Sequence, residues 1–327
     1  MFARRSAVVL VPLALVSAVF AACGGGNDNL PPPPPPPPVP ATADASPVAT
    51  TPATATNAPP AKPPAPPITL TPGVAATDPP APTPTVKLAA PTKDQVIPAD
   101  KAGDFAVKLD VKNWQTAVSS NHVHLILDNK PYKAIYDTKA PIKLSELAAG
   151  AALDEGLHVL VAFPSRASHE SVKTKEAMTV VPFWIGAKKG DAAKDPTKKP
   201  MLVYSRPKGD YNGEMANHVL IDFQVANVTL ADGKEHVHVH VSGPGTDGLD
   251  ADVSKFGTPL YLDNLQNGTY TLKVELVDGS KKLIEGPWNS TTRTIKIDHD
   301  APMDPNMHAA PAATDAGAPK ADAGAKK

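Results

Sequence analysis

An internal repeat between residues 85 and 298 constrains the fold of this chain more than any other feature. Each copy has a histidine-bearing apolar segment, then a segment that begins with proline and ends with leucine, then a glycine-led β-rich segment. These segments occupy residues 121–127, 141–147 and 156–161 in the first copy, and residues 235–241, 259–265 and 268–274 in the second. Because order and spacing match, two copies of one module explain the region better than one large domain.

The segments of each copy have the pattern of β-strands. They are short, alternating or rich in β-branched residues, and separated by turn signals such as Asp128-Asn129 and Asn267-Gly268. We predict strands at residues 105–111, 122–127, 218–225 and 269–276, opening strands within residues 88–97 and 201–213, and one helical turn within residues 144–153. About 100 residues per copy at this strand spacing predicts an all-β fold of two tandem immunoglobulin-like β-sandwich domains.

Residues 268–272, Gly-Thr-Tyr-Thr-Leu, resemble the start of strand F in immunoglobulin-type sandwiches. The resemblance implies that the Tyr270 hydroxyl bonds back to the chain and that Leu272 enters the core. His158 and Leu160 occupy the same places in the first copy. The chain has one cysteine, so the inter-sheet disulfide of antibody domains does not carry over.

Proline content divides the rest of the chain. Residues 23–84 are rich in proline, alanine and threonine, with an uninterrupted proline tract at residues 31–38, and they predict a disordered, semi-rigid stalk. Residues 299–327 predict a disordered tail. The predicted domains are then residues 85–187 and 200–298, joined by a lysine-containing linker at 188–199. The alternative function for the stalk is to serve as a ligand for a proline-binding module.

The first 22 residues have the pattern of an export signal. Arg4 and Arg5 precede an apolar run at residues 7–20, which is shorter than the roughly 20 residues that span a bilayer. The alternative is an uncleaved membrane anchor. Phe20-Ala21-Ala22-Cys23 resembles the lipobox of bacterial lipoproteins, in which the cysteine becomes the lipid-bearing N-terminus, although that family usually has Leu, Val or Ile at the position of Phe20.

The lipobox resemblance implies a location for the protein. Glycine rather than aspartate follows Cys23, which implies lipid anchoring to the outer membrane of a Gram-negative cell, with the body facing the periplasm or the outside. A lipid on Cys23 also explains an unpaired cysteine in an exported protein. Stable attachment follows from the buried methylene groups of the acyl chains.

Histidines are the candidate metal ligands. Strand alternation places His236, His238 and His240 on one face, and likewise His122 and His124, opposite apolar faces. His-x-His on a strand is a metal-ligand spacing, since imidazole binds zinc and copper, but a strong site needs a further ligand. His158 is a candidate for completing the first pair. The alternative is that these strands simply present a polar face.

The tail and the tryptophans give further candidates. Met303, Met307 and His308 resemble the soft-ligand tracts of periplasmic copper- or silver-binding proteins, and chance composition is the alternative. Three tryptophans, at positions 114, 184 and 288, would form a sugar-stacking platform if exposed, whereas in small sandwiches such residues are usually core or interface anchors.

Charge and motifs exclude other functions. The sequence has 32 Lys and Arg against 33 Asp and Glu, without the basic excess of a nucleic-acid surface. It also lacks the motifs of a serine-hydrolase elbow, a zinc protease and a phosphate-binding loop. The sequence therefore predicts a membrane-anchored, non-catalytic lipoprotein that displays two modules to a protein or polysaccharide partner. The alternatives are a periplasmic copper- or zinc-binding protein and a polysaccharide-binding accessory module.

Overall fold

Segments rich in β-branched residues form strands throughout the computed structural model, which describes residues 65–79, 81–188 and 195–303. The predicted signal peptide, Cys23, the stalk up to residue 64, Met307 and His308 lie outside the described residues. No helix among the described residues is long and apolar enough to cross a membrane.

The described residues contain seventeen strands and four short 3₁₀ helices. In chain order the strands are β1 Thr69–Pro72, β2 Thr85–Ala90, β3 Val96–Ile97, β4 Ala106–Lys112, β5 His122–Leu127, β6 Lys133–Ile135, β7 Ile142–Lys143, β8 Gly156–Ser165, β9 Thr179–Ile185, β10 Met201–Arg206, β11 Gly209–Asn212, β12 His218–Ala226, β13 His236–Gly243, β14 Thr246–Val253, β15 Leu260–Asp263, β16 Gly268–Val277 and β17 Ser290–Asp298. The 3₁₀ helices are Ala99–Lys101, Leu144–Leu147, Pro196–Lys198 and Gly213–Ala216.

Strand order is the same in both modules. The first module, β2 to β9, has sheets in the order β2-β4-β7 and β3-β9-β8-β5-β6, and the second, β10 to β17, has β10-β12-β15 and β11-β17-β16-β13-β14. In each module one short strand pairs in parallel with the last strand, and the other pairs are antiparallel. The prediction of an all-β fold of two tandem immunoglobulin-like sandwiches is confirmed.

Tyr270 and His158, which lie at equivalent positions near the starts of β16 and β8 and are called the corner residues below, support the repeat. The Tyr270 hydroxyl donates to the carbonyl of Pro244 at 2.8 Å and accepts from the backbone of Gln266 at 2.9 Å, as the resemblance implied. In the first module the His158 ring takes this place: its Nε2 lies 2.8 Å from the carbonyl of Asp154, four residues upstream. Both side chains therefore bond to the backbone four residues upstream, but through different groups.

Strand β1 departs from the prediction. It precedes the first module in the chain, yet it pairs with β15 of the second, with Thr69 opposite Asp263 and Pro72 opposite Leu260. Just before it, Ile68 is buried in the core of the second module. The predicted disordered stalk is therefore wrong at these residues, because this short segment buries apolar surface and satisfies its backbone on a sheet edge. The predicted tail is likewise wrong at its start, because His299 bonds to Asn267 and Leu265.

Each module has its own core, and a third apolar cluster joins the two. This interface cluster combines outward-facing residues of β5 and β8, and Tyr132 just before β6, with residues of the second module: Ile126, Tyr132, Val159, Val161, Phe163, Met201, Val203 and Trp288. All six residues of β5 and all six of β10 are buried. Strands buried on both faces have near-continuous apolar runs, which explains the lack of alternation at residues 125–127 and 201–204.

Polar contacts reinforce the interface. The buried carboxylate of Asp222, in β12, accepts from the Ser171 hydroxyl at 2.8 Å and from the Lys173 ammonium at 2.8 Å. The amide of Gln224 donates to the Val172 carbonyl at 2.7 Å. These bonds attach the segment after β8 to the second module.

Candidate metal centre

Strand β5 places two imidazoles between the modules. Val123 and Leu125 point into the core of the first module, so alternation turns His122 and His124 to the opposite face. The second module covers that face, and both histidines are fully buried. The polar face that the sequence suggested is therefore an internal one.

A third imidazole comes from the turn after β8. Ser165 and Ser171 form a β-bridge that closes this turn, and within it the His169 amide donates to the Arg166 carbonyl at 2.8 Å. His169 has a φ of 65°, a left-handed conformation that histidine adopts more readily than most residues. Its buried ring lies 4.6 Å from that of His122 and 5.8 Å from that of His124, measured between centroids.

These three side chains converge. One ligand atom from each of His122, His124 and His169 lies within 4.8 Å of the others, and theirs is the one such group of three or more His, Cys, Asp or Glu in the described part of the chain. The Nε2 atoms of His122 and His124 are 2.9 Å apart. We name this group the histidine cluster.

Neighbouring groups orient the imidazoles as metal ligands require. Nδ1 of His122 lies 2.9 Å from the carbonyl oxygen of Ser120, which only accepts, so Nδ1 carries the proton and Nε2 presents its lone pair to the cluster. Nδ1 of His124 lies 3.1 Å from the hydroxyl of Ser205, which donates or accepts. A bond from the second ring nitrogen to a carbonyl or hydroxyl is the usual support of a metal-bound histidine.

The Ser205 hydroxyl gives His124 two compatible states. When Nε2 of His124 carries the proton, it donates to Nε2 of His122, and Ser205 donates to Nδ1. When Nδ1 carries the proton, both Nε2 lone pairs face the cluster, where a cation stabilises them. The change between the two states moves one proton on His124 and requires no movement of the backbone.

Electrostatics keep His124 neutral. Burial lowers its pKa well below the usual value, and His122, His169, Arg206 and Lys208 lower it further. Since only the neutral imidazole binds a metal ion, His124 is competent as a ligand at neutral pH.

Tyr132 contacts both the cluster and two cationic side chains. Its ring stacks on that of His124 at 3.6 Å between centroids, and its hydroxyl accepts from Nε of Arg206 at 3.0 Å. The ammonium of Lys208 lies 4.1 Å from the centroid of the same ring. Burial, with Arg206 and Arg293, lowers the pKa of Lys208 to about 8.

The histidines of the second module have a different environment. Nδ1 of His238 lies 2.7 Å from Asp252, and Nδ1 of His240 lies 2.8 Å from Asp250; both aspartates are in β14. His236 is buried, with Nδ1 2.8 Å from the carbonyl of Lys234. The described residues bring no third ligand atom into a group here. Metal binding by His236, His238 and His240 stays a prediction.

The remaining candidates do not join the cluster. His158 bonds to Asp128 at 2.6 Å and serves as a corner residue, so it does not complete the pair on β5. Met303 is exposed and distant in the chain from the cluster. Trp184 and Trp288 are buried, and Trp114 is half-buried and donates to the His122 carbonyl at 3.0 Å. The polysaccharide prediction therefore lacks the exposed tryptophans on which it depended.

Sequence reasoning missed His169. It lies in a turn 45 residues after His124, outside any strand, and the spacing of the β5 pair does not point to it. The available signal was the histidine within Arg-Ala-Ser-His-Glu-Ser, directly after an apolar strand.

Comparisons with known proteins give no family. No protein-family model matches the chain, and no curated protein matches it. Similar solved structures include the fibronectin(III)-like modules of Clostridium thermocellum CbhA, with 15% identity, 67% of this chain and 98% of that one covered, and a TM-score of 0.24.

Two other similar structures also contain tandem domains. The two V-type regions of VCBP3, a v-region-containing chitin-binding protein, have 7% identity, cover 66% of this chain and 99% of that one, and give a TM-score of 0.20. The chicken CNTN1 FN1–FN3 domains have 12% identity, cover 67% of each chain and give a TM-score of 0.23. At these scores the assignment of the fold rests on the sheet order alone.

Proposed function

We propose that this chain is an exported, lipid-anchored and non-catalytic protein that binds a transition-metal ion through His122, His124 and His169. One observation carries the proposal: three buried imidazoles from two separate segments present ligand atoms within 4.8 Å of one another. Imidazole is the nitrogen ligand that zinc and copper share, so these are the candidate ions.

The surroundings of the cluster support binding rather than catalysis. All three histidines are at most 2% exposed, so a bound ion has no open face for a substrate of appreciable size. Catalytic metal sites keep an open coordination position that a substrate reaches. The carbonyl of Ser120 and the hydroxyl of Ser205 fix the rings before the ion arrives.

Metal titration of the full-length chain, purified in detergent without a histidine tag, tests the proposal. We expect one copper or zinc ion per chain, and a loss of affinity of about 100-fold or more in His169→Asn. Asparagine also adopts the left-handed backbone of this turn, so the variant removes the imidazole and retains the fold. The matched control is His238→Asn/His240→Asn, for which we expect less than about a threefold change.

Two results would contradict the metal proposal. One is the absence of stoichiometric binding in the unmodified chain. The other is an equal loss of affinity in His169→Asn and in the control, which would place binding on exposed histidines. Unfolding midpoints of all variants, measured without metal, identify any loss of binding that follows from loss of structure.

Anchoring rests on the N-terminal sequence and has its own test. We propose that Cys23 carries the lipid and that the anchored protein resides in the outer membrane. Cells grown with labelled palmitate should label the unmodified chain and not Cys23→Ser, which should also be released from the membrane fraction. Retained label in Cys23→Ser, or fractionation with the inner membrane, would contradict the assignment.

A further inference from the structure

A cleft between the modules is lined by two tryptophans. Trp184 comes from β9 of the first module, and Trp288 comes from the segment before β17 of the second. The cleft has a volume of about 640 Å³, within the range of roughly 300–1,000 Å³ that ligand pockets occupy. Apolar side chains, including three prolines, form most of the remaining lining: Leu157, Val159, Pro196, Pro200, Met201 and Pro287.

The indole N–H groups of both tryptophans lack a hydrogen-bond partner in the described part of the chain. Trp184 is 6% exposed and Trp288 is 3% exposed, and buried tryptophans usually bond their N–H. Trp114 follows that rule, since its N–H donates to the His122 carbonyl at 3.0 Å. Neither of the other two nitrogens is sealed from solvent, and no described group accepts from them. The cleft therefore presents two hydrogen-bond donors that a ligand can satisfy.

Two of the three side chains with acceptor oxygens in the lining are already bonded. Asp128 accepts from the Val159 amide at 2.8 Å through Oδ1, and its Oδ2 lies 2.6 Å from Nδ1 of His158. Asn289 accepts from the Leu202 amide at 2.9 Å, and its own amide donates to two backbone carbonyls. A ligand that donates hydrogen bonds therefore finds few partners here.

Charge does not select the ligand. Lys199 and Glu285, the two exposed charged residues of the lining, have opposite signs, and Asp128 is paired with His158. The cleft therefore favours an uncharged, largely apolar ligand that accepts hydrogen bonds and donates few.

We propose that this cleft binds a proline-rich peptide segment. Each proline brings an apolar ring and a carbonyl acceptor, but no backbone N–H that needs an acceptor in return. Such segments form a preformed extended helix and dock in aromatic-lined grooves, where they lose little conformational entropy. Sugar hydroxyls, by contrast, donate as well as accept. The proposal is separate from the histidine cluster and does not depend on metal binding.

Peptide titration of the full-length chain in detergent tests the proposal. The probe is a peptide with the sequence of residues 30–40, which contains the uninterrupted proline tract, and the control is a glycine-serine peptide of equal length. Because the chain itself contains this tract, binding is also measured in a full-length form with residues 31–38 replaced by glycine and serine, so that its own tract cannot compete. We expect the replaced form to bind the probe saturably, at one peptide per chain, and not to bind the control.

Indole resonances locate the bound peptide. In the replaced form labelled with ¹⁵N-tryptophan, the N–H signals of Trp184 and Trp288 should shift when the probe is added, and that of Trp114 should not. Trp184→Phe and Trp288→Phe assign these signals, and each keeps an aromatic ring but removes one donor, so each should weaken binding by about 3–10-fold. Trp114→Phe is the matched control and should leave the affinity unchanged.

The proposal would be overturned by an absence of probe binding in the replaced form, or by binding that leaves the signals of Trp184 and Trp288 in place. An equal loss of affinity in Trp114→Phe and in the two cleft variants would also overturn it. Binding of cellohexaose instead of the probe, with shifts at Trp184 and Trp288, would assign the cleft to a carbohydrate. Unfolding midpoints of the variants distinguish loss of a donor from loss of structure.

Discussion

Strands β5 and β13 occupy the same position in their modules and both have His-x-His on their outer face, but among the described residues they share only one contact: Nδ1 of His122 and Nδ1 of His236 each lie beside the carbonyl two residues upstream. His122 and His124 are fully buried and lie beside a third imidazole, whereas His238 and His240 are partly exposed and each bonds to an aspartate. The strand is repeated in the second module, but the group of three imidazoles is not.

Neighbouring strands explain the difference. On β13 the cross-strand partner of His238 is Asp252, and on β5 the corresponding partner of His124 is Ala134. An aspartate beside an imidazole forms a hydrogen bond with the ring, whereas an alanine cannot, so the ring bonds to other groups. The second module then covers β5 and supplies Ser205. A His-x-His strand is thus a metal-site candidate only when its cross-strand neighbours do not already pair the rings.

The contacts that cover β5 should contribute more to the free energy of unfolding than the aspartate contacts on β13. Asp222→Ala removes the bonds to Ser171 and leaves the Lys173 ammonium without its carboxylate, so we expect a loss of about 3–5 kcal/mol in the free energy of unfolding, measured by urea denaturation. The matched change Asp250→Ala, beside the partly exposed His240, should cost less than about 1 kcal/mol. Similar losses in the two variants would mean that the interface does not depend on Asp222.

Truncation of one histidine on each strand compares their packing directly. Without metal, His124→Ala should lower the free energy of unfolding by about 2–4 kcal/mol, because it leaves a cavity against Tyr132 and removes the bond to Ser205. His240→Ala should change it by less than about 0.5 kcal/mol. A loss in His240→Ala as large as that in His124→Ala would show that burial does not separate the two strands.

The corner residues His158 and Tyr270 should give a smaller difference in stability between the modules, and this difference depends on pH. Burial of His158 opposes its charge, but the hydrogen bond and attraction from Asp128 outweigh burial and raise its pKa. Folding therefore favours the protonated ring: this contribution is complete below about pH 6.5, the pKa of an unperturbed histidine, and is lost as the pH rises through the raised value. The unfolding midpoint should therefore fall as the pH rises above about 6.5. Asp128→Asn should weaken that fall.

The second module supplies the control for that experiment. Tyr270→Phe removes the equivalent corner hydroxyl, which does not titrate in this range, and so it should lower the midpoint by the same amount at every pH between 5.5 and 8. A pH profile unchanged in Asp128→Asn would mean that the His158 corner contributes through packing alone.

Strand pattern, repeat and corner were predictable from the sequence because each depends on local spacing. Alternation located β5 and β13, and the glycine-led segments located β8 and β16. The predicted helical turn at 144–153 is present as the 3₁₀ helix Leu144–Leu147. The apolar run at the end of β5 also indicated that both faces of this strand are buried. The sequence did not identify what covers the outer face.

Strand β1 and His169 were not predictable in the same way. Thr69–Pro72 is flanked by prolines, and its pairing partner lies about 190 residues away, so local composition favoured disorder. His169 belongs to the cluster because a bridged turn holds it there, and that depends on tertiary contacts. The sequence therefore predicted two of the three proposed ligands, and the third required the fold.

The pairing of β1 with β15 has a mechanical consequence. In a chain held at Cys23, as proposed, tension from the membrane passes through β1 into the second module before it reaches the first. A pull along the axis of β1 loads its four residue pairs together, in shear, rather than one after another. The first module then forms a loop between two attachments to the second, β1 and β10.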